Sequence, residues 1–182
     1  GMIFECSGVA IRLVRFVTAI VGEWTGSLAV VAVLVSMLLG GISGSGPADA
    51  AAVAAVMLPS MIARGYPKGF SAGLIAASGS TAIVIPPSVA FIVYSVMVPA
   101  ATVPALFAAG LFPGMIAALC LLVPAIIISR KYGFGRDYKA ERPPLGKSFI
   151  DAIWGLLAPV IILGGLRTGI FTPTEAAVVA VA

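Results

Sequence analysis

The side chains able to do chemistry in this sequence are few and gathered in two places. Ser43, Ser45 and Asp49 stand in Gly40-Gly41-Ile42-Ser43-Gly44-Ser45-Gly46-Pro47-Ala48-Asp49. Ser80, Thr81 and Ser88 stand in Ser78-Gly79-Ser80-Thr81-Ala82-Ile83-Val84-Ile85-Pro86-Pro87-Ser88. Glycine frees the backbone, and proline removes a donor and sets φ, so both stretches interrupt helices. Carbonyls released by unwinding, with the hydroxyls of Ser43, Ser45, Ser80 and Thr81, can replace the water shell of a small hard cation such as Na⁺. The helix that restarts after each break offers orphan N–H groups and a partial positive charge to an anionic group. Asp49, two residues after Pro47, would neutralise such a helix start or contact a ligand.

Other chemistries are excluded by what is missing. The chain has no histidine, which removes Ser-His catalysis and histidine-based metal or proton relays. Gly41-Ile42-Ser43-Gly44 has the Gly-x-Ser-Gly form of some intramembrane serine proteases. Its base would have to be Lys68, the only lysine near either break, in a predicted loop. Gly146-Lys147-Ser148 looks like the end of a phosphate-binding loop, but Glu141 stands where that loop needs glycine. Cys6 and Cys120 are too far apart in sequence, and too few, for a metal site, and no disulfide is expected. Gly110-x-x-x-Gly114 and Gly69-x-x-x-Gly73 are read as helix-packing pairs. No catalytic residue is assigned, and an enzyme is not expected.

The elements that must carry the two breaks are set by composition. Sixty per cent of the 182 residues are hydrophobic and 10% charged, and mean hydropathy is +1.14. A soluble domain has about 45–50% apolar and about 25% charged residues, so the chain reads as an integral membrane protein. No apolar segment alternates with period 2, which favours helices over a membrane barrel. The expected class is all-α, with transmembrane helices, a re-entrant hairpin and a discontinuous helix broken at Pro86-Pro87. Basic residues fall before, between and after the apolar runs: Arg12 and Arg15, Arg64 and Lys68, and Arg130 to Lys147. Such clusters mark cytoplasmic loops; a nucleic-acid surface would need a soluble basic face.

The chain then divides as follows. Residues 1–25 are an interfacial helix or connector, with Trp24 at the interface. Residues 26–63 are a re-entrant helical hairpin with basic residues on both flanks, because runs of ~12–16 residues rise only about 18–24 Å. Residues 69–100 form the discontinuous helix, 104–129 a transmembrane helix, 130–147 a cytoplasmic basic loop, and 148–182 the start of a truncated second half. Residues 164–182 share a pattern with 40–56: Leu-Gly-Gly, a polar patch, a proline and an acid. There Thr172 and Glu175 have capping-box spacing.

At these residues the sequence resembles a known family, the large membrane subunit (DctM type) of tripartite ATP-independent periplasmic, or TRAP, transporters. The matching stretches are Ser-Gly-Ser-Gly-Pro-Ala-Asp (43–49), Met-Leu-Pro-Ser-Met-Ile-Ala-Arg-Gly-Tyr (57–66), Ile-Pro-Pro-Ser (85–88), Leu-Phe-Ala-Ala-Gly-Leu-Phe-Pro-Gly (106–114) and Gly-Ile-Phe-Thr-Pro-Thr-Glu-Ala-Ala (169–177). The resemblance implies a Na⁺-coupled importer of organic acids in the bacterial inner membrane. It also implies a periplasmic binding protein (DctP type) that delivers the carboxylate and a small membrane subunit (DctQ type) packed alongside. No cofactor is implied beyond Na⁺ as the coupling ion. By position, Ser43, Gly44, Ser45 and Gly46 match the first hairpin tip. Gly79, Ser80, Thr81, Pro86, Pro87 and Ser88 match the first broken helix. The implied cation ligands are Ser43, Gly44, Ser45, Gly46, Gly79, Ser80, Thr81 and Pro86, with Pro87, Ser88 and Asp49 toward the substrate. The family often has Ser in place of Gly46 and Gly in place of Ala82, so one oxygen contact and one close approach differ here. The residues themselves leave two other readings open: a channel with the breaks as its filter, and a non-transporting membrane scaffold.

Overall fold

Leu28–Leu39 is apolar on every side of a helix, and a helix of that kind has to be surrounded. In the computed structural model, which describes residues 8–135 and 144–167, that helix is the centre of the molecule. The helices, in chain order, are α1 (Val9–Val21), α2 (Ser27–Ser43), α3 (Gly46–Ala63), α4 (Lys68–Ala82), α5 (Val89–Met97), α6 (Val103–Lys131) and α7 (Leu145–Arg167). Every regular element among the described residues is a helix. Thirteen of the seventeen residues of α2 are buried, and α1, α3, α4, α6 and α7 all pack on it. Leu13, Val53, Met57, Met61 and Ile75, each 2% exposed or less, close the core around it.

Two helices, α3 and α6, are long and apolar enough to cross a membrane. The wide polar interruptions expected from the sequence are narrower in the fold. Helix α2 runs through Gly40 and Gly41 to Ser43, leaving only Gly44 and Ser45 outside helix before α3 begins. Pro47 and Asp49 thus stand second and fourth in α3 instead of first and third. With 17 and 18 residues, α2 and α3 rise about 26 and 27 Å, more than the sequence estimate. Likewise α4 passes through Ser78–Thr81 and stops at Ala82, so only residues 83–88 separate it from α5. In both places tertiary contact keeps polar residues helical to the last available turn.

Small residues let the backbones meet. A Cβ on Gly110 would fall 2.3 Å from the Phe91 ring and 2.8 Å from the Val84 carbonyl oxygen, and one on Gly114 would fall 2.9 Å from Ile85. That pair seats α6 against the end of α4 and the start of α5. The Gly69 and Gly73 pair behaves otherwise: a Cβ at either meets nothing within 4 Å among the described residues.

At the end of α6 the chain is tied back to the start of α2. The Gly26 N–H donates to the Phe134 carbonyl at 3.2 Å, and Tyr66, Phe70 and Phe134 pack their rings with centroids 5.4 to 6.4 Å apart. Residues 136–143 and 168–182, which include part of the basic loop, Thr172 and Glu175, lie outside the described residues, as does Cys6.

Candidate functional site

The link between α2 and α3 is built by Gly44. Its φ is +64°, a left-handed conformation that costs residues with a Cβ about 1–2 kcal/mol. This lets α2 end in one residue, with the Gly44 N–H donating to the Gly40 carbonyl at 2.9 Å. Ser45 is extended and starts α3, but its side chain makes no cap bond. Ser43 does the local work. The Ser45 N–H donates to Ser43 Oγ at 3.1 Å, and the Ser43 hydroxyl donates to Asp49 Oδ1 at 2.5 Å. A bond this short is characteristic of a hydroxyl on a carboxylate.

Asp49 is 3% exposed, and its other oxygen, Oδ2, is buried with no hydrogen-bond partner among the described residues. A buried acceptor left unpaired costs on the order of 1–3 kcal/mol, more when charged. Beside it lies a cavity of about 10 Å³, walled by α1, α2 and α3, with Ser43 and Asp49 as its polar lining. That space holds roughly one water-sized guest.

The two interruptions meet. A Cβ on Gly44 would fall 2.6 Å from the Pro87 carbonyl oxygen and 3.1 Å from the Val89 nitrogen; the Val89 N–H donates to the Gly44 carbonyl at 3.4 Å. One on Gly46 would fall 2.5 Å from the Gly79 carbonyl oxygen and 2.5 Å from the Ile83 side chain. Reciprocally, one on Gly79 would fall 2.9 Å from the Gly46 carbonyl oxygen, and one on Gly40 would fall 2.8 Å from the Ala82 carbonyl oxygen. Three glycines therefore bring the α2–α3 link against the end of α4 and the start of α5, close enough that carbonyls of both breaks share one small volume.

The hydroxyls do not all follow. Ser80 is exposed, and its hydroxyl donates to the Ala76 carbonyl of its own helix. Thr81, half-buried, donates to Ala77 at 2.9 Å, and fully buried Ser78 donates to Leu74 at 2.6 Å. A hydroxyl that gives its proton to a carbonyl keeps lone pairs for a cation, but only where the side chain faces one. Pro86 is fully buried and joined to Pro87 by a cis peptide bond. Ser88 is fully buried and starts α5, accepting from the Phe91 N–H at 3.5 Å. The close approaches Gly40–Ala82 and Gly46–Ile83, and the Val89 N–H, were not found in the sequence; only the glycines themselves hinted at them.

Residues 1–182 match the family described as the tripartite ATP-independent periplasmic transporter, DctM component. The chain is 40% identical over 190 residues to the C4-dicarboxylate TRAP transporter large permease protein DctM of Rhodobacter capsulatus, covering 97% of this chain and 43% of that protein. It is 41% identical over 180 residues to the 2,3-diketo-L-gulonate TRAP transporter large permease protein YiaN of Escherichia coli (strain K12), covering 99% and 42%. It is 35% identical over 182 residues to the sialic acid TRAP transporter permease protein SiaT of Haemophilus influenzae, covering 100% and 29%. The chain spans less than half the length of these relatives.

Proposed function

We propose, since the chain belongs to the DctM component family of tripartite ATP-independent periplasmic transporters, that its two meeting interruptions are half of the ion and substrate site of a Na⁺-coupled importer of organic acids. The observation that carries the reading is the seating of Gly44 and Gly46 on Pro87, Val89 and Gly79. That contact gathers backbone oxygens, the Ser43 hydroxyl and a buried carboxylate where a small cation would lose its water.

Depth supports the same reading. Helix α6 has 29 residues, so it rises about 43 Å and overshoots a hydrocarbon core of roughly 30 Å. Gly110 and Gly114 of α6 lie level with Val84 and Ile85 in the break, about 10–17 Å from the start of that helix by rise per residue. The tip of the α2–α3 pair, which touches the same break, is then inside the bilayer. The pair is a re-entrant hairpin, and α4 and α5 are one crossing broken in the middle. Backbone freed at that depth persists only against protein or a wet cavity.

Ser43, Gly44, Ser45 and Gly46 hold Na⁺ from the hairpin side, and Gly79, Thr81 and Pro86 from the other, with Ser80 contributing only its carbonyl. Asp49 acts through Ser43: by taking the hydroxyl proton, it turns lone pairs of Ser43 Oγ outward and places a negative charge one residue behind them. Pro87 and Ser88, at the start of α5, face the substrate, whose anion is favoured at a helix N-terminus. The relatives are named for C4-dicarboxylates, diketogulonate, isethionate and sialic acid. All are organic anions, so the class proposed here is a small organic acid. A small membrane subunit and a periplasmic binding protein complete the assembly in a multi-pass inner-membrane complex.

The test is uptake of a labelled organic acid into vesicles containing the full-length subunit, its small subunit and the binding protein. Accumulation that collapses without an inward Na⁺ gradient is expected. Uptake unchanged when Na⁺ is replaced by choline overturns the proposal.

A further inference from the structure

At the far end of α6 from the break, an open cleft of about 420 Å³ is lined by Trp24, Thr25, Arg130 and Gly133. None of the four is acidic. The Arg130 guanidinium lies over the Trp24 ring, 4.8 Å from its centroid. No carboxylate pairs with Arg130 among the described residues. Stacking of this kind orders the planar fork and leaves its edge N–H groups free, the arrangement that suits a tetrahedral oxyanion.

The walls of the cleft are fixed from behind. Gly26 donates to Phe134 at 3.2 Å, and the Phe134 N–H donates to the Ser129 carbonyl at 2.9 Å. A Cβ on Gly26 would fall 3.0 Å from Ser129 and 3.3 Å from Trp24. The turn after α6 and the turn before α2 are thus locked together with the cleft between them. Lys131 and Tyr132, both exposed, stand at its rim.

A second feature leads into it. Leu111, Met115, Leu119, Val123 and Ile127 recur at every fourth position of α6 and are each about half exposed, forming one apolar stripe along the helix. Arg130 and Lys131 follow Ile127 by three and four residues, so the stripe runs straight to the basic head. An apolar track ending at a cation beside an interfacial tryptophan has the chemistry of a phospholipid: acyl chain, then phosphate.

We propose that this cleft binds the headgroup phosphate of an anionic phospholipid, with Arg130 as the oxyanion contact, Trp24 as its platform and Thr25 as a hydroxyl donor. Neither the coupling ion nor the transported acid enters the argument. The test is native mass spectrometry of the full-length subunit taken from bilayers of phosphatidylcholine with phosphatidylglycerol. The parent is expected to retain one phosphatidylglycerol that Arg130→Gln loses with about tenfold weaker affinity. Arg130→Lys should fall between, because it keeps charge and loses the fork. Trp24→Leu should weaken retention with charge unchanged, which long-range attraction alone would not produce. An unaltered melting profile of each variant keeps the comparison to binding. Equal retention in parent and Arg130→Gln overturns the proposal, as does equal retention of phosphatidylcholine. Displacement of the lipid by millimolar inorganic phosphate, with no dependence on the acyl chains, overturns it too, since the site would then be one for a free anion.

Discussion

Ser43 and Asp49 are the residues on which the chemistry of the hairpin tip turns. Asp49→Asn keeps an acceptor for the Ser43 hydroxyl and removes the charge behind it. The expected outcome is a rise of roughly tenfold in the Na⁺ concentration for half-maximal uptake, about 1.4 kcal/mol, the scale of a charge-assisted bond over a neutral one. Unchanged Na⁺ dependence would reduce the pair to a fold contact. Glycines make the contrasting case. Gly44→Ala must place a side chain at φ +64° and 2.6 Å from the Pro87 carbonyl oxygen; destabilisation of at least about 1–2 kcal/mol is expected in reversible unfolding. Gly73→Ala, a helical site with open space around it, should be neutral or stabilising by up to about 1 kcal/mol. Equal losses at both would show that the tip contact carries no energy. The sequence singled out Ser43, Gly44 and Asp49, but their hydrogen bond spans six residues across a turn whose shape depends on Pro87 behind it.

Among elements, α2 has an unusual start. Gly26 caps it with φ +100° and no side-chain cap bond. The phenol of Tyr66, from the turn between α3 and α4, stands in for one: its oxygen lies by the backbone N–H groups of Ala29, Leu28 and Gly26. Burial raises the Tyr66 pKa above its ordinary 10.0, outweighing those N–H groups, which lower it together with Arg64. The folded state therefore holds the phenol proton more tightly than the unfolded state. The stability this confers is complete below pH 10.0 and is lost as pH climbs through the raised value. Tyr66→Phe should cost about 1 kcal/mol at neutral pH, the range of a lost cap, and should flatten the alkaline decline. A decline that persists unchanged in the variant would assign it elsewhere. The existence of each apolar helix was legible from composition, whereas its ends were not. Local preference would have unwound Gly40–Ser43 and Ser78–Thr81, and packing against neighbours kept them helical.

For the whole molecule, α6 is the measuring rod. It carries Cys120, exposed on its outer side in the middle of the span. A charged, water-soluble maleimide should leave Cys120 unmodified in intact membranes, whereas a cysteine introduced at Ala100, in the exposed turn before α6, should label from one side. Rapid labelling of Cys120 in intact membranes would place that face against water and remove the depth argument for the re-entrant hairpin.

What the sequence determined alone was the class of object: a helical membrane chain, with two glycine- and proline-rich interruptions and too little titratable chemistry for an enzyme. Those follow from composition and from local backbone rules, which neighbours do not alter. What the tertiary structure decided was which interruption faces which, and how narrow each is. Gly46 reaches Gly79, Gly44 reaches Pro87, and Asp49 is left with one oxygen paired and one not, because close backbone approach depends on the packing of helices distant in sequence. The same holds at the other end, where Trp24 and Arg130 lie more than a hundred positions apart in the chain. Only the fold of α2 against α6 stacks them.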